Sequence, residues 1–318
     1  MLKVGVVGCG HLGKIHIKLL SQSKNYLLIG VYDKDTELTK SISKEFKCDY
    51  FETFDQLLSS IDVLDIVTPT PFHFNYAKKA ILSGKHVFIE KPVCTSVDES
   101  EKLISLGKSN NVKIQVGHVE RFNPSFTEVE NEIKRPMFIE SHRLAKFNPR
   151  GTDVSVVLDL MIHDIDIILK TVNSNVKEIS SSGVSVISQT PDIANARIEF
   201  ENGCVANLTA SRVSMKNMRK TRFFQLGKYI SIDFLKRESE IVEIEGETGG
   251  FPLMTLELEN GIEKKIYFKK PQIKENNAIL DELDSFAYSI KNNKTPKVDI
   301  SDGHKALEVA LKIISNFK

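Results

Sequence analysis

Three side chains have the types and spacing that a proton-transfer reaction requires. Lys91 stands in Glu90-Lys91-Pro92, directly after an apolar run, and supplies a cation. Asp159 and His163 are four residues apart, so on a helix they share a face and the carboxylate can orient the imidazole. An oriented base with a cation for a developing oxyanion is the set that alcohol oxidation needs. Each also has a structural interpretation, as a solvated loop lysine or an intrahelical Asp–His hydrogen bond.

A helix predicted over residues 154–171 must position the aspartate and the histidine. At about 100° per residue, Asp159, His163 and Asp166 form one narrow polar stripe on it. The adjoining apolar stripe consists of Leu158, Ile162, Ile165 and Leu169. We therefore predict that Asp159 and His163 border the buried face of this helix.

The first 120 residues alternate short apolar runs with amphipathic stretches, which is typical of repeated βαβ units. The runs are nearly continuous in Val, Ile and Leu, as expected for a parallel sheet covered on both faces. Predicted strands cover residues 4–7, 27–32, 63–67, 87–89 and 112–116, and predicted crossover helices cover residues 12–20, 72–82 and 96–108. Residues 68–73 and 90–92 follow carboxyl ends of such strands, where open α/β sheets bind ligands.

A glycine-rich turn, Gly8-Cys9-Gly10-His11-Leu12-Gly13, follows the first predicted strand and opens the first helix. Its glycines have the dinucleotide-binding spacing, for a tight turn, for close approach of a pyrophosphate and for helix packing. Asp33 ends the second strand, where a carboxylate accepts hydrogen bonds from ribose hydroxyls and repels a 2′-phosphate. NAD is thus the predicted cofactor, although the neighbouring Lys34 leaves NADP open. The residues predicted to contact it are Gly8, Gly10, His11, Leu12, Gly13, Asp33, Thr68, Pro69, His73, Glu90 and Lys91.

Beyond about residue 175 the pattern changes to alternating strands joined by turn signals. Asn202-Gly203 and Asn260-Gly261 each tolerate the positive φ of a tight hairpin turn, and they join predicted strands at 193–200 and 204–211 and at 256–258 and 262–268. Two helices, near 275–291 and 302–316, close the chain. The predicted fold is α/β, with a doubly wound parallel Rossmann sheet over residues 1–120. An α+β domain with a largely antiparallel open sheet follows over residues 121–318.

Composition narrows the class of protein. The 43 Lys and Arg residues balance 42 Asp and Glu residues, which disfavours nucleic-acid binding. No apolar run approaches the roughly 18 to 20 residues that span a bilayer, so no membrane partner is predicted. The four cysteines are isolated, without ligand spacing, so neither a disulfide framework nor a metal site is predicted. The start of the chain lacks a signal-peptide pattern, and we expect a cytoplasmic location.

Several of these segments together resemble the Gfo/Idh/MocA family of nicotinamide-dependent sugar and polyol oxidoreductases. The matching segments are residues 8–16 (GCGHLGKIH), 68–73 (TPTPFH), 84–92 (GKHVFIEKP) and 159–163 (DLMIH), followed by Asp164 and Asp166. The resemblance implies that Lys91 and His163 lie beside the substrate hydroxyl and the nicotinamide, with Asp159 as their partner. Residues 152–155 depart from the glycine run that many members have at this point.

Residues 117–124 (GHVERFNP) and 153–166 are most similar to a subgroup that includes UDP-N-acetylglucosamine 3-dehydrogenases, which implies oxidation of a UDP-sugar at its 3-hydroxyl. Arginine suits such a diphosphate because its planar fork binds phosphate oxygens in pairs, so Arg212 is a further candidate. The predicted substrate-binding residues are His118, Arg121, Asn123, Arg150, Asp159 and His163.

Three other functions remain open from the sequence. They are dehydrogenation of a free sugar or inositol-like polyol, redox-neutral epimerisation or glycoside cleavage with retained NAD, and nicotinamide binding without turnover. The last is disfavoured because a binding module has no need of Lys91, Asp159 and His163 together. The open C-terminal sheet has faces that need cover, which predicts a homodimer or homotetramer formed through it.

Overall fold

A computed structural model describes residues 1–148, 154–245, 252–257 and 261–317. The chain divides into two units by the density of its internal contacts. The first comprises Met1–Val119 and Asn277–Glu308, and the second comprises Glu120–Asn276 and Val309–Lys318. The sequence analysis predicted a second domain over residues 121–318, whereas Asn277–Glu308 belongs to the first unit.

The first unit contains, among the described residues, a six-stranded parallel sheet. Its strands are β1 (Leu2–Val7), β2 (Tyr26–Tyr32), β3 (Asp49–Tyr50), β4 (Val63–Ile66), β5 (His86–Glu90) and β6 (Ile114–Gly117). The helices between them are α1 (His11–Gln22), α2 (Thr36–Phe46), α3 (Phe54–Ser59), α4 (His73–Leu82) and α5 (Val97–Ser109). The strand order β3-β2-β1-β4-β5-β6 is doubly wound, which confirms the predicted Rossmann sheet. The sequence analysis missed α2, β3 and α3.

The second unit contains a nine-stranded sheet, counted over the described residues. Its strands are β7 (Phe138–Leu144), β8 (Val176–Val184), β9 (Ile193–Phe200), β10 (Val205–Ser211), β11 (Met218–Gln225), β12 (Lys228–Asp233), β13 (Glu238–Ile244), β14 (Met254–Glu257) and β15 (Glu263–Lys269). In the order β14-β15-β13-β12-β11-β7-β10-β9-β8, neighbours are antiparallel except β7 and β10, which run parallel. The predicted, largely antiparallel sheet is confirmed.

Both predicted hairpins form. β9 and β10 pair antiparallel, with Glu199 opposite Val205, and Gly203 in the turn has a φ of +86°. β14 and β15 pair in the same way, and Gly261 has a φ of +74°. Leu258 and Asn260 lie outside the described residues. Each glycine adopts a backbone conformation that residues with a Cβ rarely adopt, so the turn chemistry fixed both connections.

The remaining helices are α6 (Pro124–Thr127), α7 (Ile162–Val172), α8 (Ala278–Lys291) and α9 (Ile300–Ser315). Leu283, Phe286 and Ala287 of α8 belong to the buried apolar cluster that also contains Val4 and Phe88 of the parallel sheet. Burial of this apolar face explains why residues 277–308 belong to the first unit. None of the described helices is both long and apolar enough to cross a membrane.

Candidate active site

The glycine-rich turn between β1 and α1 has the geometry that a pyrophosphate requires. Gly8 has a φ of +103°, and a Cβ there would approach the carbonyl oxygen of Val67 to 2.6 Å. A Cβ on Gly13 would collide with the carbonyl oxygen of Gly8, whereas a Cβ on Gly10 would meet no described heavy atom within 4 Å. Gly10 thus borders open space at the N-terminus of α1, where free N–H groups favour an anion. The turn fits NAD in the way that its spacing predicts.

Asp33 follows β2 and is hydrogen-bonded to this turn. Its Oδ2 accepts from the Cys9 N–H at 2.7 Å, and its Oδ1 accepts from the Asp35 N–H at 3.1 Å. A carboxylate has about four acceptor sites, so these two bonds leave capacity for ribose hydroxyls. The Lys34 ammonium lies over the Phe72 ring, 3.7 Å from its centroid. This cation–π contact directs Lys34 onto an aromatic face.

The segment after β4 contains the first set of loop residues predicted to contact NAD. Pro69 is exposed, and the Thr68 hydroxyl oxygen is buried without a hydrogen-bond partner in the described chain. His11 and Leu12 lie in the first turn of α1 and are also exposed. The hydroxyl of Thr68 is therefore a polar group that a bound ligand can satisfy.

His73, predicted to contact the cofactor, is buried between two backbone carbonyls. It is 1% exposed, and its ring nitrogens lie 2.7 Å from the Thr68 carbonyl oxygen and 2.9 Å from that of Pro92. Burial is the largest influence on the pKa of His73 and lowers it, while the carbonyl contacts oppose this shift. His73 therefore joins the loops after β4 and β5, and both its nitrogens are engaged by protein.

Lys91 directly follows β5 and is half-buried. Its backbone N–H donates to Oε2 of Glu90 at 3.2 Å, and the peptide bond to Pro92 is cis. The Glu90 carboxylate lies against Gly117, where a Cβ would approach Oε1 to 2.8 Å. The side chain of Glu90, predicted to contact NAD, is thus directed into the protein at the end of the sheet.

The helix predicted over residues 154–171 is not uniform. Val157–Met161, which includes Asp159, forms a π-helical turn, and α7 begins only at Ile162. The widened turn invalidates the angles calculated at 100° per residue between Asp159 and His163. Both side chains are half-buried, whereas Asp166, assigned to the same polar stripe, is 1% exposed.

Two buried arginines hold α7 through Asp164 and Asp166, which follow His163 by one and three residues. Arg143 of β7 donates from Nε and Nη2 to both oxygens of Asp164 at 2.9 Å, and from Nη1 to Glu120 at 2.9 Å. Arg121 donates to both oxygens of Asp166 at 2.6 and 2.8 Å. Burial opposes the charge of Arg143, but Asp164 and Glu120 raise its pKa above the ordinary value. These bidentate pairs fix the backbone that carries His163.

The other residues predicted to bind substrate have different surroundings in the fold. Arg121 is 1% exposed and committed to Asp166, which does not favour a contact with a diphosphate. The Asn123 side chain caps α6 and donates to Glu120 and the Phe234 carbonyl, so it has partners within the protein. Arg212 donates to the Val154 carbonyl, and His118 is buried after β6. Arg150 lies outside the described residues.

Sequence analysis assigned no role to four buried charged groups, namely His16 and Asp65 in the first unit and Glu120 and Arg143 in the second. The position of Asp65 within the apolar run Val-Leu-Asp-Ile could have indicated a buried charge, and all four residues are buried in the structure. Arg143 is a second such case, since it stands at an inward position of the alternating strand β7. A charge at such a position needs a partner, although the sequence does not say which.

Comparisons with known proteins agree with this architecture. Residues 2–118 match the model of the oxidoreductase family with an NAD-binding Rossmann fold, and residues 125–250 match the GFO/IDH/MocA C-terminal domain. The chain is 31% identical over 314 residues to UDP-N-acetylglucosamine 3-dehydrogenase of Acidithiobacillus ferrooxidans, covering 98% of this chain and 96% of that protein.

A solved structure of that dehydrogenase superposes with a TM-score of 0.90 at 30% identity, over 99% of this chain and 97% of the other. The chain is also 25% identical over 339 residues to scyllo-inositol 2-dehydrogenase (NAD(+)) of Bacillus subtilis, covering 100% of this chain and 94% of that protein. The chain therefore belongs to the Gfo/Idh/MocA family of oxidoreductases and is an NAD-dependent dehydrogenase that acts on CH–OH groups of sugars or polyols.

Proposed function

We propose that the protein oxidises the 3-hydroxyl of UDP-N-acetylglucosamine, or of a closely related UDP-sugar, to a 3-keto sugar. The observation that carries the proposal is the full-length similarity to UDP-N-acetylglucosamine 3-dehydrogenase, at 31% identity. The second candidate is oxidation of an inositol-like polyol, which the full-length similarity to scyllo-inositol 2-dehydrogenase at 25% identity favours less.

In the proposed mechanism His163 is the general base that accepts the proton of the substrate hydroxyl. Asp159 orients the imidazole and stabilises the positive charge that it gains. Lys91 donates a hydrogen bond to the alkoxide oxygen as negative charge develops there. Bound NAD would supply the acceptor for the hydride on the carbon that carries this hydroxyl, and the residues proposed to hold it are those of the glycine turn and Asp33.

The cofactor end of this proposal is supported by contacts within the first unit. Gly10 leaves space beside the N-terminus of α1, and the Asp33 carboxylate is fixed by two backbone N–H groups. The residues proposed for NAD contact are therefore the glycine turn with His11 and Leu12, Asp33, Thr68, Pro69 and Lys91. His73 and Glu90 instead hold the loops in place.

The substrate end is proposed to contain His118, Asp159 and His163, with Arg150 and Arg212 as the cations for the diphosphate. Arg121 leaves this set because its guanidinium already holds Asp166. An Arg121→Ala variant should therefore lower stability and turnover rather than selectively raise the KM for a UDP-sugar.

The test is NADH formation at 340 nm by the purified protein with UDP-N-acetylglucosamine, UDP-glucose, glucose and inositol. UDP-N-acetylglucosamine should be oxidised with the highest kcat/KM, and UDP alone should inhibit competitively. Preference for inositol or glucose over every nucleotide sugar would overturn the substrate assignment. Product formed without net NADH accumulation would indicate a redox-neutral reaction.

We also propose that a second copy of the chain covers the outer face of the nine-stranded sheet. Phe138, Phe224 and Tyr229 form an aromatic row there, with ring centroids 5.8 and 5.1 Å apart, and Phe224 is 36% exposed. Light scattering should give at least twice the 35.8 kDa of one chain, and Phe224→Asp should weaken the assembly. A monomer at micromolar concentration would contradict this proposal.

A further inference from the structure

A buried histidine lies between two carboxylates beneath the end of β5. His16, on α1, is 0% exposed, and its Nδ1 lies 3.0 Å from Oδ2 of Asp65 on β4. Its Nε2 lies 3.2 Å from Oε1 of Glu90, in an ion-pair contact that is less well aligned than the first. Asp65 is 1% exposed and Glu90 is 9% exposed. The mechanism proposed above uses none of these three groups.

The two contacts favour the protonated form of His16. An ionised carboxylate only accepts hydrogen bonds, so each ring nitrogen facing one must donate, and only the imidazolium donates from both. Burial alone would lower the pKa of His16, but the charges of Asp65 and Glu90 and their contacts with the ring raise it well above its ordinary value. The imidazolium is therefore the cation that allows these two carboxylates to be buried together.

Glu90 extends this cluster to Lys91. Its Oε2 accepts the backbone N–H of Lys91, and its carboxylate occupies space that exists because residue 117 is glycine. The same carboxylate contacts His16 on α1, the helix whose N-terminus borders the glycine turn. One imidazole thus connects the cofactor-binding helix with the residue that precedes Lys91.

We propose that His16 is a positioning residue, which fixes Glu90 and, through it, the backbone of Lys91 relative to α1. The inference rests on the proposed role of Lys91. Loss of His16 should displace Lys91, and a displacement of about 1 Å at a reacting group can cost about 10²-fold in rate.

Two variants separate this role from a purely structural one. His16→Leu leaves Asp65 and Glu90 without their cation, so its melting temperature and turnover should both fall. Adding Asp65→Leu removes one of the two stranded carboxylates and should recover most of the lost melting temperature, while kcat stays about 10²-fold below that of the wild type. NADH affinity, measured by NADH fluorescence, should change little in the double variant.

The matched control is His86→Leu, which removes an imidazole from the opposite end of β5. His86 accepts the Lys113 N–H at 2.9 Å and begins β5, whereas Glu90 ends that strand, so loss of His86 should leave kcat unchanged. If turnover of the His16→Leu, Asp65→Leu double variant recovers together with its melting temperature, His16 is only structural and the proposal is wrong.

A readout without substrate keeps this test separate from the proposed function. In reductively ¹³C-methylated protein, the Lys91 signal can be assigned by its loss in Lys91→Arg. That signal should shift in the double variant and stay in place in His86→Leu. An unchanged signal would overturn the proposal whatever the substrate, whereas a shifted signal in a protein that does not oxidise UDP-N-acetylglucosamine would overturn only the substrate assignment.

Discussion

The two units hold the residues proposed to react, Lys91 and His163, with different buried cations. In the first unit, the imidazole of His16 contacts Asp65 and Glu90, and Glu90 accepts the backbone N–H of Lys91. In the second unit, the guanidinium groups of Arg121 and Arg143 contact aspartates that closely follow His163 in α7. Both arrangements bury carboxylates, and in both the carboxylate lies close in sequence to the proposed reactive side chain.

The difference lies in what each cation can do. A guanidinium stays protonated at any pH at which proteins fold, and its planar fork binds both carboxylate oxygens at once. An imidazole can lose its proton, and the two carboxylates that His16 contacts come from two strands. The buried ion pairs of Arg121 and Arg143 form a clamp whose cations keep their charge as pH rises. The contacts of His16 with Asp65 and Glu90 form a clamp whose cation depends on one proton.

The largest effect should follow removal of the reactive side chains themselves. Lys91→Ala and His163→Ala should each reduce turnover by roughly 10²- to 10⁴-fold, because each acts on charge that develops in the transition state. NAD affinity, measured by fluorescence titration, should stay close to that of the wild type. Near-normal turnover in either variant would show that the replaced residue takes no part in the mechanism. The buried ion pairs next to that residue would then have no role in catalysis.

The next largest effect should be on the stability of the second unit. Arg143→Met leaves Glu120 and Asp164 buried without their cation and should cost about 3–5 kcal/mol in urea unfolding. The control is Arg197→Met, since the pair of Arg197 and Glu199 is largely solvent-exposed and should contribute at most about 1 kcal/mol. Equal losses in the two variants would show that the buried clamp has no special importance.

A pH titration should distinguish the two clamps. The folded-state pKa of His16 lies well above its ordinary value, so its stabilisation is complete below the unfolded pKa and is lost as pH rises through the folded pKa. The melting temperature of the wild type should therefore fall on the alkaline side by more than that of the His16→Leu, Asp65→Leu variant. Parallel curves for the two proteins would mean that His16 does not supply the proton.

The smallest effect concerns the cofactor. NAD should bind at least about ten times more tightly than NADP, a difference of roughly 1.4 kcal/mol, because the fixed Asp33 carboxylate repels a 2′-phosphate. Asp33→Ser should reduce the difference between the affinities for NAD and NADP. Phe72→Leu should reduce this difference less, because it only releases the Lys34 ammonium from the aromatic ring. Equal affinities for NAD and NADP in the wild type, measured by titration, would contradict the assignment to Asp33.

The sequence predicted most accurately those features whose cause is local. The glycine turn, the strands of the parallel sheet and the two Asn-Gly hairpins follow from φ preferences and apolar periodicity, and each is found. It did not name α2, in which only Thr39 and Ile42 are buried. It also missed the π-helical turn at Asp159, since a widened turn leaves the spacing of residues in the sequence unchanged.

The sequence by itself determined which residues could do chemistry and the strand ends at which several of them stand. Only the tertiary structure decided which charges are buried together, because those partners are far apart in the chain. His16 and Asp65 are separated by 49 positions, and Arg121 and Asp166 by 45. The cost of burying an unpaired charge forces such groups to find partners, but the sheet order and the packing of α1 and α7 select which ones. The sequence therefore predicted that Arg121 and His73 bind ligands, whereas in the fold they contact Asp166 and the Pro92 carbonyl.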